Sequence, residues 1–481
     1  GGMSMASIPA EDTGLDRKAR MKIPYQPQGA RPPEERVRDF ADTYLPLTPE
    51  EAVLAAQRCI HCPDPAACMQ ACPLHNDISA ALWLVEKGDF IGAAEIYRQT
   101  SSMPEICGRV CPHEALCQGS CVRSKRNEPV ITGALEAFVA DYQRKLGKVE
   151  IPVGKSTGKR VAIVGAGPAG LACAEQLVQK GHSVTIFEAA PAPGGLLVYG
   201  IPSFKLEKDV VRARIGDLER AGVEFVPGTR IGDTKKVEDL FGEGYRAVFV
   251  GVGANLDAPL EVPGVDLPGV YQATEFLVRA NVDPAFLPPD KRSKPEVGRR
   301  VAVIGGGDTA SDCLRTALRM GAEEVTCLYR RTEAEMPGGV QDRELAKEEG
   351  ARYRFLTQPV RFIEGPEGRV NAVENLQCEL GEPDDSGRRR PVPIEGSNFT
   401  VPADTVILAL GYWPDPLIGK TTPGLETKKY GLIVADPETG ATSRPGVYAG
   451  GDDVTGPDLV ATATLAGRKA AASIQEYLSK N

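Results

Sequence analysis

The sequence carries one strand–glycine–helix pattern twice, and this repeat restricts the possible folds more than any other feature. Residues 160–170 read R-V-A-I-V-G-A-G-P-A-G, an apolar strand that leads into Gly165, Gly167 and Gly170. A helical stretch follows, and the next apolar strand ends at Glu188. This order of strand, glycines, helix, strand and acid is typical of a β-α-β unit that binds a dinucleotide. The sequence therefore predicts an α/β fold with parallel strands.

Each residue of this first fingerprint has a physical task. Gly165 permits the tight turn, Gly167 lets the backbone approach a pyrophosphate, and Gly170 allows close contact between helix and sheet. The first turn of the helix offers unpaired N–H donors, and Glu188 can accept hydrogen bonds from ribose hydroxyls. The alternative is a glycine-rich turn in an α/β domain that binds no ligand.

The same pattern returns at residues 300–310, which read R-V-A-V-I-G-G-G-D-T-A. The three fingerprint positions are held by Gly305, Gly307 and Ala310. The second strand of this unit ends in Arg330 and Arg331, where an acid would favour a ribose without a phosphate. Arginine offers a fork of N–H groups that matches phosphate oxygens, so the pair predicts NADP rather than NAD. The alternative is an exposed basic pair at a strand end.

Two fingerprints predict two dinucleotides, and the simplest pairing is FAD at the first and a nicotinamide nucleotide at the second. Gly195, in a glycine pair soon after the first unit, and Gly450, at the end of a late apolar strand, support this pairing. Asp452 could bind the ribityl hydroxyls of the flavin. The amides of Val460 and Ala461, at the start of a predicted helix, would face the flavin pyrimidine edge and favour negative charge there.

The order of these motifs describes a flavin domain that is interrupted by a nicotinamide domain. Before residue 150 the pattern is helical, and the first residues, rich in proline, glycine and charge, predict a flexible arm. We therefore expect an arm at 1–33, a helical domain at 34–150, an FAD domain at 158–286 and 405–481, and an NADP domain at 287–404.

Eight of the twelve cysteines lie in two blocks before the first fingerprint. The blocks are Cys59, Cys62, Cys68, Cys72 and Cys107, Cys111, Cys117, Cys121. The C-x-x-C spacing and the prolines that follow several cysteines are typical of ferredoxin-type iron–sulfur runs. Structural zinc sites use similar spacing, whereas disulfide frameworks are typical of small secreted domains. Because two dinucleotide sites could supply electrons, the sequence favours two iron–sulfur clusters over zinc.

The segment that carries these cysteines predicts helices. Thr48 and Glu51 form a capping-box pattern that starts a helix ending near Cys59. Residues 78–98 carry an apolar stripe of helical period, which Gly88 interrupts. No stretch of this segment indicates a strand.

Composition excludes some classes of function. The chain has 481 residues and a formal net charge of −9, so it has no bulk attraction to nucleic acid or to an anionic membrane. No apolar run reaches the length needed to span a bilayer. The opening residues lack the basic and apolar regions of a secretion signal, which predicts a cytoplasmic protein.

Four stretches together carry a resemblance to a known family. They are the run from Cys59 to Cys72, residues 108–112 (G-R-V-C-P), residues 194–205 (G-G-L-L-V-Y-G-I-P-S-F-K) and residues 450–452 (G-G-D). From about Arg31 onward the chain resembles the small (beta) subunit of NADPH-dependent glutamate synthase. Relatives in that family are the large subunit of NADH-dependent ferredoxin:NADP oxidoreductase and the N-terminal half of dihydropyrimidine dehydrogenase.

The resemblance implies an all-helical domain with two [4Fe–4S] clusters, followed by an adrenodoxin-reductase-like pair of Rossmann-like domains, the second inserted in the first, with FAD and NADPH. It also implies that the ligands of each cluster come from both cysteine blocks. One cluster would take Cys59, Cys62, Cys68 and Cys121, and the other would take Cys72, Cys111, Cys117 and Glu136. Cys107 is then a spare thiol or the true fourth ligand, and Glu136 could also be a solvent-facing helix carboxylate.

The implied function is a relay in which NADPH reduces FAD and single electrons leave through the clusters to a partner protein. No catalytic acid or base is expected. The partner would be the large subunit of glutamate synthase, ferredoxin or another oxidoreductase subunit, in a hetero-oligomer. The chain has no residues left for the amidotransferase and second flavin domains that a complete glutamate synthase needs.

Two alternatives stay open at this point. One is a flavin subunit of the ferredoxin:NADP oxidoreductase type that works with ferredoxin or another redox partner. The other is a zinc-containing flavin disulfide reductase, which needs a cysteine pair beside the flavin. Cys173, Cys313, Cys327 and Cys378 are isolated in the sequence, so we expect them to be buried small residues.

Overall fold

The structure, a computed structural model, describes residues 14–481. Up to residue 150 the regular elements of this part are helical, apart from one isolated β-bridge between Ala30 and Tyr44. The α-helices are α1 (Arg17–Lys22), α2 (Pro33–Arg36), α3 (Pro49–Gln57), α4 (Ala67–Ala71), α5 (Ile78–Glu86), α6 (Phe90–Arg98), α7 (Pro104–Val110) and α8 (Thr132–Lys145), with 3₁₀ turns at His113–Ala115 and Val122–Lys125. Across the described residues, no helix combines the length and the hydropathy needed to cross a membrane.

Local signals set several of these helix ends. The Thr48 hydroxyl accepts from the Glu51 N–H at 3.1 Å, and the Glu51 carboxylate accepts from the Thr48 N–H at 2.9 Å, so α3 begins with the predicted capping box. Gly88, with a φ of +76°, separates α5 from α6. The helices enclose one apolar core that includes Leu82 and Leu135.

The start of the described chain is anchored to this helical core. Arg20 in α1 is 2% exposed, and its guanidinium donates to both carboxylate oxygens of Glu86, at 2.5 and 2.9 Å. Arg20 also donates to the backbone oxygen of Cys59 at 3.0 Å. The prediction of a flexible arm over 1–33 is therefore wrong for α1, because a buried ion pair fixes this helix. Residues 1–13 of the predicted arm lie outside the described residues.

The rest of the chain alternates strands and helices. The elements before the second fingerprint are β1 (Arg160–Val164), α9 (Pro168–Gln179), β2 (Ser183–Phe187), α10 (Leu196–Tyr199), α11 (Lys208–Arg220), β3 (Glu224–Val226), α12 (Val237–Gly242), β4 (Ala247–Val250), β5 (Leu256–Asp257), β6 (Val270–Gln272) and α13 (Ala273–Asn281). The later elements are β7 (Arg300–Ile304), α14 (Asp308–Arg319), β8 (Glu324–Leu328), α15 (Val340–Glu348), β9 (Arg352–Arg354), β10 (Thr357–Glu364), β11 (Val370–Pro383), β12 (Arg389–Pro393), β13 (Phe399–Pro402), β14 (Thr405–Leu408), β15 (Tyr412–Trp413), α16 (Leu417–Thr421), β16 (Val447–Ala449), α17 (Asp452–Thr455) and α18 (Val460–Lys480).

Strands from both ends of this region form the first sheet. Their order is β16-β4-β1-β2-β3, and all neighbouring strands are parallel. α9 and α18 pack together beside this sheet. A Cβ on Gly467 of α18 would lie 2.1 Å from the backbone oxygen of Ala169 in α9, so the two helices approach closely only with glycine at this position.

A second parallel sheet, with the order β6-β14-β7-β8-β9, holds the second fingerprint. The antiparallel strands β10, β11, β12 and β13 form a separate sheet. Phe362 and Val373 of this antiparallel sheet share an apolar core with Ile304 of β7. The antiparallel strands therefore cover part of the second parallel sheet.

The strand pairing places the crossings between the two parallel sheets differently from the prediction. The predicted boundaries assigned residues 270–272 and 405–408 to the FAD domain, but β6 and β14 belong to the second sheet. The chain crosses between β4 and β6 and again between β14 and β16, and the short strands β5 and β15 pair with each other there. The predicted boundaries were wrong because they followed composition, whereas strand pairing depends on contacts between distant residues.

Candidate functional site

Both fingerprints open into one cavity of about 1020 Å³ at the strand ends of the two parallel sheets. Gly165 and Gly167 line this main cavity from the first sheet, and Gly305 and Gly307 line it from the second. Ligands of open α/β sheets bind outside the carboxyl ends of the strands. The main cavity therefore adjoins both predicted nucleotide sites.

The first fingerprint has the close contacts and the open space that the sequence predicts. A Cβ on Gly165, where φ is +104°, would lie 2.2 Å from the backbone oxygen of Gly251. A Cβ on Gly170 would lie 2.0 Å from the Gly165 oxygen, so glycine lets α9 contact β1. A Cβ on Gly167 would meet Gly195 Cα at 4.0 Å and nothing nearer in the described chain. This open backbone cradle fits a pyrophosphate.

Glu188 lies at the rim of the main cavity and is held by backbone amides. Its Oε2 accepts from the Ala166 N–H at 2.8 Å, and its Oε1 accepts from the Ala190 N–H at 3.0 Å. Burial raises the pKa of this carboxyl, and the amide donors oppose that shift. The carboxylate is therefore fixed beside the glycine turn, where ribose hydroxyls could donate to it.

The C-terminal motif closes the main cavity on the side of the first sheet. Gly450 and Asp452 line the cavity, and burial raises the pKa of Asp452 to about 7. Val460 lines the cavity as the first residue of α18, whereas Ala461 is 1% exposed and does not line it. Both amides belong to the first turn of α18, whose N–H groups have no acceptor within the helix.

Asp453 is a site residue that the sequence analysis missed. It is 1% exposed, and its Oδ2 accepts from the Val252 N–H at 3.1 Å. Its Oδ1 has no hydrogen-bond partner among the described residues. The hydrogen bond between Val252 and Asp453 joins the loop after β4 to α17 at the edge of the main cavity. The one signal in the sequence was its position next to Asp452.

The second fingerprint repeats the geometry of the first. Gly305 has a φ of +138°, and a Cβ there would lie 2.0 Å from the backbone oxygen of Ala409. A Cβ on Gly307 would meet no described atom within 4 Å, so this position faces the open cavity. Ala310 is 2% exposed and belongs to the core of the second sheet. The first turn of α14 therefore presents a second open backbone cradle of the kind that binds a pyrophosphate.

The two arginines that follow β8 differ in exposure and in bonding partners. Arg331 is 4% exposed, and its guanidinium donates to Asp384 Oδ2 at 2.9 Å and to the backbone oxygen of Arg389 at 2.8 Å. Arg330 is exposed, lines the main cavity, and makes no hydrogen bond or ion pair through its side chain to a described residue. The alternative of an exposed basic pair is therefore wrong for Arg331, and the two side chains differ in what they are free to bind.

The eight N-terminal thiols form two groups in space. The outer group lines a small cavity and consists of Cys59, Cys62, Cys68 and Cys121. The inner group, whose members interact electrostatically, consists of Cys72, Cys107, Cys111 and Cys117. Cys121 and Cys72 thus each lie with the cysteines of the other sequence block.

The chemistry of the thiols fits metal ligands. Burial, together with the neighbouring thiols, raises the pKa of Cys68 to about 11 and that of Cys117 to about 12. Such thiols become thiolates when a bound metal supplies positive charge. In the part of the chain that the structure describes, no three His, Cys, Asp or Glu side chains are placed to share a single metal ion. A four-iron cluster spreads its ligands over four irons.

Glu136 lies beside the inner group and away from solvent. It is 6% exposed, and burial raises its pKa to about 8. Among the described residues its carboxylate accepts one hydrogen bond, a long one from Asn76 Nδ2 at 3.5 Å. The alternative of a solvent-facing helix carboxylate is therefore wrong. Cys107 is 2% exposed and forms a hydrogen bond with Cys111, so both candidates for the fourth ligand lie at the inner group.

Tyr97 lies between the two thiol groups and was not singled out in the sequence. Its ring is 1% exposed and interacts electrostatically with Cys68, Cys72, Cys117 and Glu136. Its hydroxyl has no hydrogen-bond partner among the described residues. A buried hydroxyl without a partner is costly, so this orphaned donor fits a ligand such as a cluster sulfur.

The remaining four cysteines do not form a pair beside the main cavity. Cys173 lies in α9, Cys313 in α14, Cys327 in β8 and Cys378 in β11, and all four are buried. None of the four lines the main cavity. The alternative of a flavin disulfide reductase therefore lacks the residue pair that it needs.

Two family models match the chain. Residues 36–148 match the model described as dihydropyrimidine dehydrogenase domain II, 4Fe-4S cluster. Residues 159–467 match the model described as pyridine nucleotide-disulphide oxidoreductase. The first match covers the cysteine-bearing helices, and the second covers both fingerprints.

Known proteins resemble the chain over most of its length. It is 44% identical over 457 residues to the glutamate synthase [NADPH] small chain of Halomonas elongata, and this match covers 93% of this chain and 95% of that protein. It is 42% identical over 452 residues to the putative oxidoreductase AegA of Escherichia coli, which covers 92% of this chain and 68% of AegA. FprA from Mycobacterium tuberculosis in complex with NADPH shares the fold, with a TM-score of 0.57 and 23% identity over 67% of this chain and 85% of FprA.

These similarities confirm the predicted fold, in which a helical iron–sulfur domain precedes two dinucleotide-binding units. They also confirm FAD, NADPH and [4Fe–4S] clusters as the cofactors predicted for the chain. The chain therefore belongs to the family of the glutamate synthase [NADPH] small chain and is an NADPH-dependent flavin and iron–sulfur oxidoreductase.

Proposed function

We propose that this chain accepts an electron pair from NADPH and passes electrons one at a time, through two clusters, to a partner protein. The position of Cys111 carries this proposal. Its neighbours Val110 and Pro112 line the main cavity that both fingerprints share, and Cys111 belongs to the inner thiol group. The inner group therefore adjoins the main cavity, and the outer group follows it, since Cys117 interacts electrostatically with Cys68.

The first fingerprint is the proposed FAD site. Gly167 and the first turn of α9 would hold the pyrophosphate, Glu188 the adenosine ribose, and Asp452 the ribityl hydroxyls. The amides of Val460 and Ala461 would face the pyrimidine edge of the flavin. Bound FAD accepts a hydride and releases single electrons. The chain's own residues bind the cofactor, orient it and exclude water, so none of them needs to act as an acid or a base.

The second fingerprint is the proposed NADPH site. Gly307 and the first turn of α14 would hold the pyrophosphate, and the free guanidinium of Arg330 would face the 2′-phosphate of the adenosine. Because both fingerprints line one cavity, the second sheet would hold NADPH in the same space that borders the proposed FAD site.

Each thiol group is proposed to hold one [4Fe–4S] cluster. The outer cluster would take Cys59, Cys62, Cys68 and Cys121. The inner cluster would take Cys72, Cys111, Cys117 and Glu136. Glu136 is preferred to Cys107 because a buried carboxylate with one long hydrogen bond lacks the compensation that its burial requires.

The proposed partner is the large subunit of a glutamate synthase. The Halomonas elongata relative is named as a small chain, and this chain covers 95% of its length. The outer thiols are half-buried, whereas three of the four inner thiols are buried, so electrons would leave from the outer cluster. A hetero-oligomer and a cytoplasmic location stay predictions.

The first experiment is an anaerobic absorption spectrum of the purified protein, with counts of iron, sulfide and zinc. We expect a brown protein with flavin bands, about eight irons per chain from two four-iron clusters, and bleaching when NADPH is added. A yellow protein with zinc and no iron would reduce the function to that of a flavin reductase with structural metal sites.

The second experiment tests the partner. The NADPH-reduced protein is mixed with a glutamate synthase large subunit, and glutamate formation from glutamine and 2-oxoglutarate is measured. We expect NADPH oxidation coupled to the conversion of 2-oxoglutarate into glutamate only when both chains are present. Reduction of ferredoxin, together with no glutamate formation, would replace the glutamate synthase assignment with a ferredoxin:NADP oxidoreductase.

A further inference from the structure

Three arginines lie together at the edge of the main cavity, and one acid forms an ion pair with one of them. Arg330 and Arg331 follow β8, and Arg388 lies in the turn between β11 and β12. The Arg330 side chain interacts electrostatically with those of Arg331 and Arg388, and all three residues line the main cavity. Asp384 is the one described acid that forms an ion pair with any of them. This edge of the cavity therefore carries about two uncompensated positive charges.

Arg331 is largely committed to protein groups, because two of its three guanidinium nitrogens already have partners. Its Nη2 donates to Asp384 Oδ2 at 2.9 Å and its Nε donates to the backbone oxygen of Arg389 at 2.8 Å. Its side chain is 5% exposed. Both partners of Arg331 lie in or beside the turn between β11 and β12, so its guanidinium ties this turn to the end of β8.

Hydrogen bonds within the turn between β11 and β12 hold the backbone of Arg388 and one nitrogen of its side chain. The Asp384 N–H donates to the Arg388 oxygen at 2.8 Å, and Asp384 Oδ1 accepts from the Arg388 N–H at 3.3 Å. Arg388 Nε donates to Ser386 Oγ at 3.0 Å. Its two terminal nitrogens donate to no described residue, so they are free while the rest of the side chain is held.

We propose that Arg388, together with Arg330, binds the 2′-phosphate of NADPH, and that Arg331 positions Arg388 instead of binding the phosphate. This inference rests on the proposed NADPH site. A phosphate monoester carries between one and a half and two negative charges near neutral pH, which matches the two free guanidiniums. Each guanidinium can also donate two parallel N–H bonds to phosphate oxygens, so two arginines together can engage all the free oxygens of a phosphate monoester.

The test compares two ligands that differ only in the 2′-phosphate, adenosine 2′,5′-bisphosphate and 5′-AMP. Their dissociation constants are measured by calorimetry on the FAD-loaded, iron–sulfur-loaded protein. We expect Arg388→Gln to weaken the bisphosphate about ten- to a hundredfold, the loss typical of charge-assisted hydrogen bonds, and to leave 5′-AMP unchanged.

Arg390→Gln is the matched control. Arg390 lies two residues away on the same hairpin, is exposed, and does not line the main cavity. Its substitution removes the same charge from the same hairpin. We expect less than a twofold change for either ligand. Equal losses in Arg388→Gln and Arg390→Gln would show that only the net charge matters and would overturn the role of Arg388.

These outcomes are separable from a failure of the proposed function. If the unaltered protein binds the bisphosphate no better than 5′-AMP, the NADPH assignment fails. If the unaltered protein prefers the bisphosphate and Arg388→Gln keeps that preference, the NADPH assignment stands and the role of Arg388 fails.

A double-mutant cycle tests the positioning role of Arg331. If Arg331 acts through Arg388, Arg331→Gln weakens the bisphosphate in the unaltered protein but changes little in the Arg388→Gln background. Losses that add in the double variant would show that Arg331 touches the phosphate directly. Arg331→Lys, which keeps the ion pair with Asp384, should restore part of the binding, and 5′-AMP affinity reports on whether each variant is folded.

Discussion

At the scale of single residues, the partners of a buried charge decide what it can do. Arg331 and Glu136 are both buried, but Arg331 is held by Asp384, 53 residues away, whereas Glu136 has one long hydrogen bond from Asn76. A buried charge with good partners is structural, and one without them indicates a missing ligand. The sequence predicted both positions as candidates but could not separate them, because their partners come from distant segments.

The two candidates for the fourth ligand of the inner cluster can be separated by iron counts. Glu136→Ala removes the proposed ligand, so we expect the loss of about four of about eight irons, with FAD retained. Cys107 is also buried, and serine is close to cysteine in size, so Cys107→Ser should keep all the iron. The measurement is iron and FAD per chain after anaerobic purification. Loss of iron from Cys107→Ser alone would assign the ligand to Cys107.

At the scale of elements, the contacts of helices decide where the site residues lie. α9 carries the first glycine fingerprint, and α18 presents the amides of its first turn to the same cavity. Gly467 lets these helices approach closely, and Arg20 fixes α1 against the helix that carries Glu86. The sequence predicted α18 and the start of α3, but neither contact could be predicted because each joins residues far apart in the chain.

Gly467→Ala should separate α9 from α18. The new Cβ would lie 2.1 Å from the Ala169 oxygen, so we expect the free energy of unfolding to fall by about 1–3 kcal/mol and FAD to dissociate more readily. Gly242→Ala is the matched control, since a Cβ there meets no described atom within 4 Å. Chemical unfolding and FAD retention on gel filtration measure the two effects. Equal behaviour of the variants would show that the helices can move apart freely.

Arg20→Ala should loosen the helical domain. The change leaves the Glu86 carboxylate buried with the His61 ring 2.9 Å away but without the Arg20 guanidinium. Breaking a buried ion pair typically costs about 3–5 kcal/mol, and the change also removes a donor to the Cys59 oxygen. Lys18→Ala in the same helix is the control, because Lys18 is exposed. Unfolding is followed by the iron–sulfur absorbance. A midpoint that is the same for Arg20→Ala and Lys18→Ala would contradict the anchoring role of α1.

At the scale of the whole molecule, the two dinucleotide-binding units meet at a partly buried ion cluster beside the main cavity. Lys205 comes from the segment between α10 and α11, and its Nζ donates to Asp312 of α14 at 3.0 Å and to Asp342 of α15 at 2.6 Å. Asp308 also interacts with this group. Lys205 thus joins the unit of the first sheet to that of the second at the cavity where the nucleotides meet.

Lys205→Met should weaken this junction in a way that depends on pH. Burial raises the pKa of Asp312 to about 7, and Lys205 opposes that shift. A carboxyl whose pKa is raised on folding contributes stability at low pH that is lost as the pH rises through the folded pKa. We therefore expect a loss of about 3–5 kcal/mol above pH 7 and a smaller loss near pH 6.

Urea unfolding at both pH values measures this loss, and Lys205→Arg, which keeps the cation, should recover most of it. The rate of flavin reduction by NADPH should fall in Lys205→Met, while the affinity for adenosine 2′,5′-bisphosphate stays unchanged. A loss of stability that does not vary with pH would exclude Asp312 as the group that Lys205 compensates.

Signals between near neighbours in the chain were enough to predict the local units of this protein. Glycine spacing, capping residues and cysteine blocks act over a few residues, so both fingerprints, the helical domain and the thiol candidates could be predicted. Tertiary structure alone decided the sheet membership of β6 and β14, the burial of Glu136 and Arg331, the anchoring of α1 and the position of Arg388. These features depend on which distant segments pack together, because burial and hydrogen-bond partners are properties of contacts and not of neighbouring residues in the chain.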